Sequence, residues 1–490
     1  MRDMSHSGNI LGLIDKVAGA RVLCIGDVML DQFVYGDVSR ISPEAPVPVC
    51  RVINETLMIG GAGNVASNLA AIGVSVDFVS VVGADKASDK IQSLIRNING
   101  IVPEFITDPK RKATIKERFF AGPQQLLRVD REETKNVGDD ISDRIFNYAQ
   151  KLLKNMGALV LSDYGKGVLS AGVIEKLIAA AKKVDCPVII DPKGVDYRRY
   201  SGATVITPNT RELCEASGSE IFDDMSAAAA AKSIVQEYDI ENILLTRSAE
   251  GMTLVSRNDV DHFPAEAREV FDVSGAGDTV VATLAAALAS GAHLMDAACL
   301  ANVAAGIVVG KTGTAVAEAS EIIESLQRQD LLSSSALKIM SLKAALSQVA
   351  RWRKRGDRIG FTNGCFDLIH PGHVALLTKS RAACDRLVVG LNVDASVKRL
   401  KGNSRPVQNE NSRASVLASL ACVDLVVLFA EDTPVKLIEA LKPDLLAKGA
   451  DYALEDVVGA EFVQSYAGKI LLVDLEEGQS TTGTIERMNQ

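Results

Sequence analysis

Short continuous apolar runs alternate with helix-like stretches through the first two-thirds of the chain. The first run, Arg21-Val22-Leu23-Cys24-Ile25-Gly26-Asp27, has the pattern of a strand buried on both faces of a parallel sheet. Similar runs follow at residues 76–82, 158–162, 187–191, 203–207 and 242–246. Each ends in polar or turn-forming residues, among them Ser162-Asp163-Tyr164-Gly165-Lys166-Gly167, Asp191-Pro192-Lys193-Gly194 and Thr207-Pro208-Asn209-Thr210-Arg211-Glu212. Strand, polar tip, helix, repeated, predicts a doubly wound α/β sheet with its ligand edge on the side of the tips. Residues 32–58 break the rhythm: prolines at 43, 46 and 48 and the alternating Val47, Val49 and Val52 predict an exposed edge strand or flap. Residues 280–310 are the most apolar, but Ser290-Gly291, His293 and Asp296 interrupt them. Two buried helices fit better than a bilayer span, which takes ~20 uninterrupted apolar residues.

Composition narrows the class. A chain of 490 residues exceeds one ordinary core. With 47% hydrophobic and 23% charged residues it has a soluble globular balance, and a net charge of −9 argues against a dedicated nucleic-acid or membrane binder. Eight scattered cysteines with no Cys-x-x-Cys pair predict reduced thiols, and the N-terminus lacks the basic start and apolar run of a secretory signal. A cytoplasmic protein is expected.

The candidate chemistry centres on Asp272-Val273-Ser274-Gly275-Ala276-Gly277-Asp278-Thr279, a Gly-rich turn running into an Ala/Leu-rich helix. The first amides of such a helix have no intrahelical acceptor and, with the macrodipole, suit a phosphoryl group. Asp278 in the first turn is either a general base for a hydroxyl or a helix cap. Asp27 and Asp31 are candidates to grip substrate hydroxyls or are turn carboxylates. In Gly60-Gly61-Ala62-Gly63-Asn64, small residues permit close approach to a ligand, and Asn64 binds a polyol or caps a helix. That run stands too late, and is too irregularly spaced, for a dinucleotide fingerprint.

With Asn209 and Glu212, and Thr246 and Gly251, these motifs resemble the PfkB (ribokinase-like) carbohydrate kinases over roughly residues 20–315. The resemblance implies a ribokinase-like doubly wound sheet with a β flap and Asp278 as catalytic base. It makes the amides of Gly275, Ala276 and Gly277 an anion hole, and Asn209 and Glu212 organisers of Mg²⁺ and phosphates. Thr246 and Gly251, with Thr210 and Arg211, would border ATP. Asp27, Asp31, Gly61, Asn64 and Lys193 are the expected sugar-binding residues.

Residues 321–354, with Ser333-Ser334-Ser335, predict a helical linker between domains at 1–320 and 355–490. Its cluster Arg351-Trp352-Arg353-Lys354-Arg355 fits a solvated helix end, where cations are favoured, better than a nucleic-acid patch. The last third opens with a strand, a turn and Cys365-Phe366-Asp367-Leu368-Ile369-His370-Pro371-Gly372-His373. Two histidines three apart share a helix face. No third His or Cys pair nearby completes a metal site, so the preferred reading is two imidazole donors over a phosphate. This segment resembles the His-x-Gly-His nucleotidyltransferases, specifically the cytidylyltransferase-like branch, over roughly 355–490, which implies a Rossmann-like domain. By that resemblance His370 and His373 stabilise charge at an α-phosphate. The same resemblance implies that Thr362, Gly364, Phe366, Lys379, Lys401, Arg413, Ser480, Thr481 and Thr482 bind ATP, with Lys379, Lys401 and the Ser480–Thr482 run on its triphosphate. The family's usual Glu-x-Arg reads Asn411-Ser412-Arg413 here, so no carboxylate role is expected at 411.

A sugar kinase followed by a nucleotidyltransferase implies consecutive activation of one sugar. The order resembles the bifunctional family that pairs a D-glycero-β-D-manno-heptose 7-phosphate kinase with a heptose 1-phosphate adenylyltransferase in lipopolysaccharide precursor synthesis. It implies ATP in both halves, Mg²⁺, small sugar phosphates as partners, and self-association through the flap. Lys193, Arg118 and Arg128 are candidates for the 7-phosphate. Two alternatives stand beside it: another sugar 1-kinase fused to a cytidylyltransferase, and a non-catalytic sugar-phosphate sensor.

Overall fold

The computed structural model describes residues 7–266, 270–449 and 457–473, with the backbone alone for 7–11 and 329–336. The chain divides into two compact units, Met1–Gln327 and Arg328–Gln490. In chain order the first holds β1 (Arg21–Gly26), β2 (Val28–Ile41), β3 (Pro48–Gly61), β4 (Ser75–Val82), β5 (Ile101–Thr107), β6 (Thr114–Ala121) and β7 (Gln124–Arg131). After them come β8 (Ala158–Ser162), β9 (Val188–Asp191), β10 (Val205–Ile206), β11 (Asn242–Thr246), β12 (Met252–Ser256) and β13 (Val260–Phe263). Nine form one sheet in the order β13-β12-β11-β10-β9-β8-β1-β4-β5. From β5 to β11 the pairing is parallel, and β12 and β13 add antiparallel at one edge.

Period-two alternation explains why these apolar runs become central strands. Val22, Cys24, Ala158 and Val160 enter one core, with the helices Ala62–Ala71, Ala276–Ala289 and Leu294–Val308. Leu23, Ile25, Leu159 and Leu161 enter the other, with Asp139–Leu152, Ala171–Lys182 and Asp224–Tyr238. Each fully buried Val, Leu or Ile stabilises the fold by roughly 1.5–3 kcal/mol, so neither face tolerates a polar run. The expected doubly wound sheet is present, and the segment at 280–310 folds as two helices. The flap is larger than residues 32–58. β2 and β3 form a long hairpin, and β6 and β7 complete a four-stranded sheet ordered β3-β2-β6-β7.

The second unit carries β14 (Ile339–Met340), β15 (Ile359–Gly364), β16 (Arg386–Asn392), β17 (Leu425–Phe429), β18 (Leu445–Gly449) and β19 (Lys469–Val473). They form a parallel sheet in the order β14-β17-β16-β15-β18-β19. Residues 339–354, expected as part of a helical linker, belong to this unit. Strand β14 pairs with β17, and Ala345, Val349 and Trp352 of the helix Leu342–Lys354 enter its core. The basic cluster at the end of that helix is partly tied down: Arg353 donates to the Leu441 carbonyl (2.9 Å), and the Arg386 guanidinium lies 5.5 Å from the Trp352 ring centre.

Among the described residues no helix is long and apolar enough to cross a membrane. All eight cysteines are free thiols.

Candidate active sites

In the first unit the strand order reverses at β1, and open α/β sheets bind ligands beyond the strand ends at such a point. The Gly-rich turn meets that edge. Asp272 accepts from Ser274 N (2.9 Å) and Gly313 N (3.0 Å), which fixes the turn, and Gly275 enters the helix Ala276–Ala289 at φ 81°. Only glycine adopts that φ without strain, and a Cβ there would come 2.8 Å from Asn64 Nδ2. Of the three amides expected to hold an anion, Ala276 N already turns back to the Val273 carbonyl (3.3 Å).

Asp278 is 5% exposed. Its Oδ2 accepts from Asn64 Nδ2 (2.7 Å) and its Oδ1 from the Tyr164 hydroxyl (2.5 Å). Burial pushes its pKa up to about 6, against the lowering effect of those two donors, while the charge on Asp31 adds to the rise and Lys116 opposes it. Asn64 comes from the helix that follows Gly61, and Asn68 in the next turn donates to its carbonyl (3.0 Å).

Sequence reading passed over Tyr164 as a site residue. It lies in the polar tip after β8, a tip shaped by two residues. Asp27 accepts from the amides of Tyr164 (2.9 Å), Lys166 (3.0 Å) and Val168 (3.0 Å), and Arg111 donates to the Lys166 carbonyl. The Asp27 carboxylate therefore positions the loop that carries the Tyr164 hydroxyl. Asp31 is engaged by Arg118 (2.6 Å).

The expected nucleotide-side residues also gather, with local partners. Asn209 and Glu212 form a reciprocal capping box on the helix Thr210–Ser217 (2.9 and 3.2 Å), and Glu212 accepts from Lys193 (2.8 Å). Thr246 bridges Asn209 across the strand ends, and Thr210 Oγ1 donates to its carbonyl (3.4 Å). Gly251 follows a short turn and leads into β12. Arg211 is separate: it pairs on the surface with Glu215 (2.8 Å) one turn along the helix. Arg128 pairs with Asp130 (2.9 Å) at the flap. Asp191, which the sequence offered only as part of a polar tip, is a second residue that the fold brings to this edge. Burial raises its carboxyl well above the usual range, and the charges of Asp278 and Glu212 push the same way.

In the second unit β15 delivers Thr362, Asn363 and Gly364 to the sheet edge, and Phe366, at φ 44°, turns the chain toward the helix Pro371–Ala382. A Cβ on Gly364 would meet the Phe366 ring at 3.1 Å. His370 caps that helix with Pro371 in the first position, where a missing N–H costs nothing. The His370 and His373 rings stack at 3.8 Å, and Phe366 lies 5.1 Å from His373. Burial pushes His373 down to about 4, aided by His370 and opposed by the Leu368 backbone, and it lowers His370 as well. The Nδ1 atoms of both rings, Thr362 Oγ1 and Asn363 Oδ1 are buried without a hydrogen-bond partner among the described residues. Lys448 Nζ donates to the Asn363 carbonyl (3.2 Å).

Other expected ATP-binding residues are placed less directly. Lys379 lines an apolar groove beside His370 and Val374. Lys401 ends the helix Asp394–Lys401 in an exposed position. Arg413 is fully buried and donates to the carbonyls of Gln408 (3.0 Å), Cys365 (2.7 Å) and Asn392 (2.8 Å) and to Asp394 (2.6 Å). It ties the ends of β15 and β16 to the loop that precedes its own helix, Glu410–Ser419. Ser480, Thr481 and Thr482 lie outside the described residues.

Comparison with known proteins agrees with both halves. Residues 20–320 match the pfkB family of carbohydrate kinases, and residues 361–479 match the cytidylyltransferase-like family. The chain is 56% identical over 487 residues to the bifunctional protein HldE of Paramagnetospirillum magneticum, covering 99% of this chain and 100% of that one. It is 53% identical over 478 residues to the HldE of Rhodospirillum rubrum, covering 97% and 96%. The fold of the first half is also that of phosphofructokinase-2 from Escherichia coli in complex with potassium (TM-score 0.54, 17% identity, 64% of this chain and 99% of that one). The chain belongs to the HldE family of bifunctional enzymes, in which a pfkB-type carbohydrate kinase and a cytidylyltransferase-like nucleotidyltransferase share one polypeptide.

Proposed function

We propose that the kinase half, residues 1–320, moves the γ-phosphoryl group of ATP to the C1 hydroxyl of D-glycero-β-D-manno-heptose 7-phosphate. The nucleotidyltransferase half, residues 355–490, then joins the adenylyl group of ATP to heptose 1-phosphate, releasing pyrophosphate and ADP-heptose for the lipopolysaccharide core. A phosphatase supplied separately removes the 7-phosphate between the two steps. The observation that carries the kinase assignment is the buried Asp278 carboxylate, held by Asn64 and Tyr164 at the mouth of the Gly-rich turn.

Asn64 and Tyr164 each use one lone pair of Asp278, which leaves capacity for the acceptor hydroxyl. Removed from water, the carboxylate is a better base than an exposed aspartate, and it takes the C1 proton as the oxygen attacks phosphorus. The amides of Gly275 and Gly277 face charge that builds on the phosphoryl oxygens. No group of three or more acidic, His or Cys residues among the described residues is placed to hold a metal alone. Mg²⁺ nevertheless fits, because it is commonly bound by one or two carboxylates together with substrate phosphates. Asp191 and Glu212 would hold it: burial first, then the charges of Asp278 and Glu212, raise the Asp191 carboxyl, and a cation beside it would offset both effects. When bound, the ion neutralises phosphate charge. In the second half His370 and His373 donate to the α-phosphate as the sugar phosphate displaces pyrophosphate, with Lys379 and Lys401 countering the triphosphate.

The enzyme works in the cytosol and associates with itself through the flap, where Ile41 and Ile53 are largely exposed. Mass spectrometry of the products from heptose 7-phosphate and ATP, with and without an added phosphatase, tests the assignment. Heptose 1,7-bisphosphate alone, then ADP-heptose once phosphatase is present, is the expected result. A preference for CTP in the second step would remove the adenylyl assignment, and no turnover at all would favour a sensor.

A further inference from the structure

The four-stranded sheet brings a row of charges to one face. Strand register sets Asp31 of β2 beside Lys116 of β6, and Lys116 beside Asp130 of β7. Two residues along, Phe33, Arg118 and Arg128 line up in the same way. This face looks onto the kinase site. A Cβ on Gly60 would come 2.2 Å from Asp31 Oδ2, and the Lys116 ammonium lies 5.8 Å from the centre of the Tyr164 ring, whose hydroxyl holds Asp278.

Pairing along the row is uneven. Arg118 binds Asp31 (2.6 Å), Arg128 binds Asp130 (2.9 Å), and the nearby Lys166 binds Glu132 (2.6 Å). Among the described residues the Lys116 ammonium makes no hydrogen bond and no ion pair, although it is half-buried; its close contact is the face of the Tyr164 ring. Burial lowers its pKa; Asp31 and Asp130 pull the other way, while Arg118 and Lys166 add to the fall. A half-buried ammonium with no hydrogen-bond acceptor is costly, and a doubly charged anion offsets that cost while gaining a charge-assisted bond. The earlier candidates fit this role less well: Lys193 is bound to Glu212 on the nucleotide side, and Arg128 is half exposed at the sheet edge.

We propose that Lys116, with Arg118 beside it, binds a phosphate carried by the sugar away from its reacting hydroxyl, so that this sheet face selects phosphorylated over unphosphorylated acceptors. The inference rests on the kinase reading above and adds the residues that choose the substrate. The test compares kcat/KM with ATP for heptose 7-phosphate and for the unphosphorylated heptose, using the full chain. Wild type prefers the phosphorylated sugar. In Lys116→Met that preference ratio falls ~30-fold or more, chiefly through KM for the phosphorylated sugar, as expected when one partner of a buried charge pair is removed. Lys116→Arg keeps most of the preference. Melting curves report folding, and Lys116→Gln repeats the test if the Met variant unfolds. An unchanged ratio, or equal losses on both sugars, overturns the inference while leaving the kinase reading intact. Wild-type enzyme that phosphorylates neither heptose overturns the kinase reading, and this inference with it.

Discussion

Asp278 and His373 are both taken out of water, and burial moves them in opposite directions: the carboxyl up to about 6, the imidazole down to about 4. In each case the uncharged form is favoured. The chemical result differs because one group is an acid and the other a base. Near neutral pH Asp278 is ionised by a narrow margin, which suits a group that must accept a proton and give it back. The two histidines are uncharged there, each with one donor and one acceptor nitrogen. In the proposed reaction they would meet a triphosphate as hydrogen-bonding groups. One physical effect thus fits Asp278 to the proposed role of base in the first unit and the two histidines to that of neutral donors in the second.

The sharpest way to break this comparison is to remove each group in turn. Asp278→Asn is expected to lower 1-phosphorylation by roughly 10²–10⁴-fold, the usual worth of a general base, with nucleotidyl transfer near wild type in a separate assay. His373→Ala should do the reverse. Loss of both activities from either change, in folded protein, would show that the sites are not independent. Next in size is Arg413→Met. It leaves three carbonyls and Asp394 without their donor and should destabilise the second unit by about 3 kcal/mol, read by denaturant unfolding, while kinase turnover persists below the transition.

Tyr164→Phe should cost the kinase roughly tenfold in kcat. Losing a donor that favours ionised Asp278 should also move the acid limb of its pH profile upward. The smallest effect needs no mutation. The base form of Asp278 is lost as pH falls through about 6, whereas His373 stays neutral until about 4. Between pH 7 and 5.5 the kinase kcat/KM should therefore fall roughly fourfold relative to nucleotidyl transfer. A parallel decline of the two would contradict the opposed shifts.

What the sequence revealed follows from how local each signal is. The Gly-Ala-Gly-Asp turn and the His-x-Gly-His segment carry their chemistry within one stretch, so both could be read directly. The central strands were visible because burial on both faces leaves no polar positions. The strands β6 and β7 were not, since Lys116, Glu117 and Arg118 on one and Gln124, Gln125 and Arg128 on the other give no continuous apolar run. Tyr164 escaped notice because only the fold shows which member of a polar tip reaches across the sheet. At Arg413 the family pattern suggests a nucleotide-binding residue, while in the fold four of the guanidinium's five N–H groups go to the carbonyls of Gln408, Cys365 and Asn392 and to Asp394, contacts that sequence alone does not show.

The three side chains around the first reaction centre are far apart along the chain. Asn64 reaches Asp278 across 214 positions and Tyr164 does so across 114, whereas the paired imidazoles are neighbours on a single helical turn. Phosphorylation of a sugar is therefore a demanding reporter of assembly. During refolding from denaturant it should return only when the whole first unit has closed. A protease nick between positions 64 and 278 that lets the pieces drift apart would silence it without touching any residue named in the chemistry.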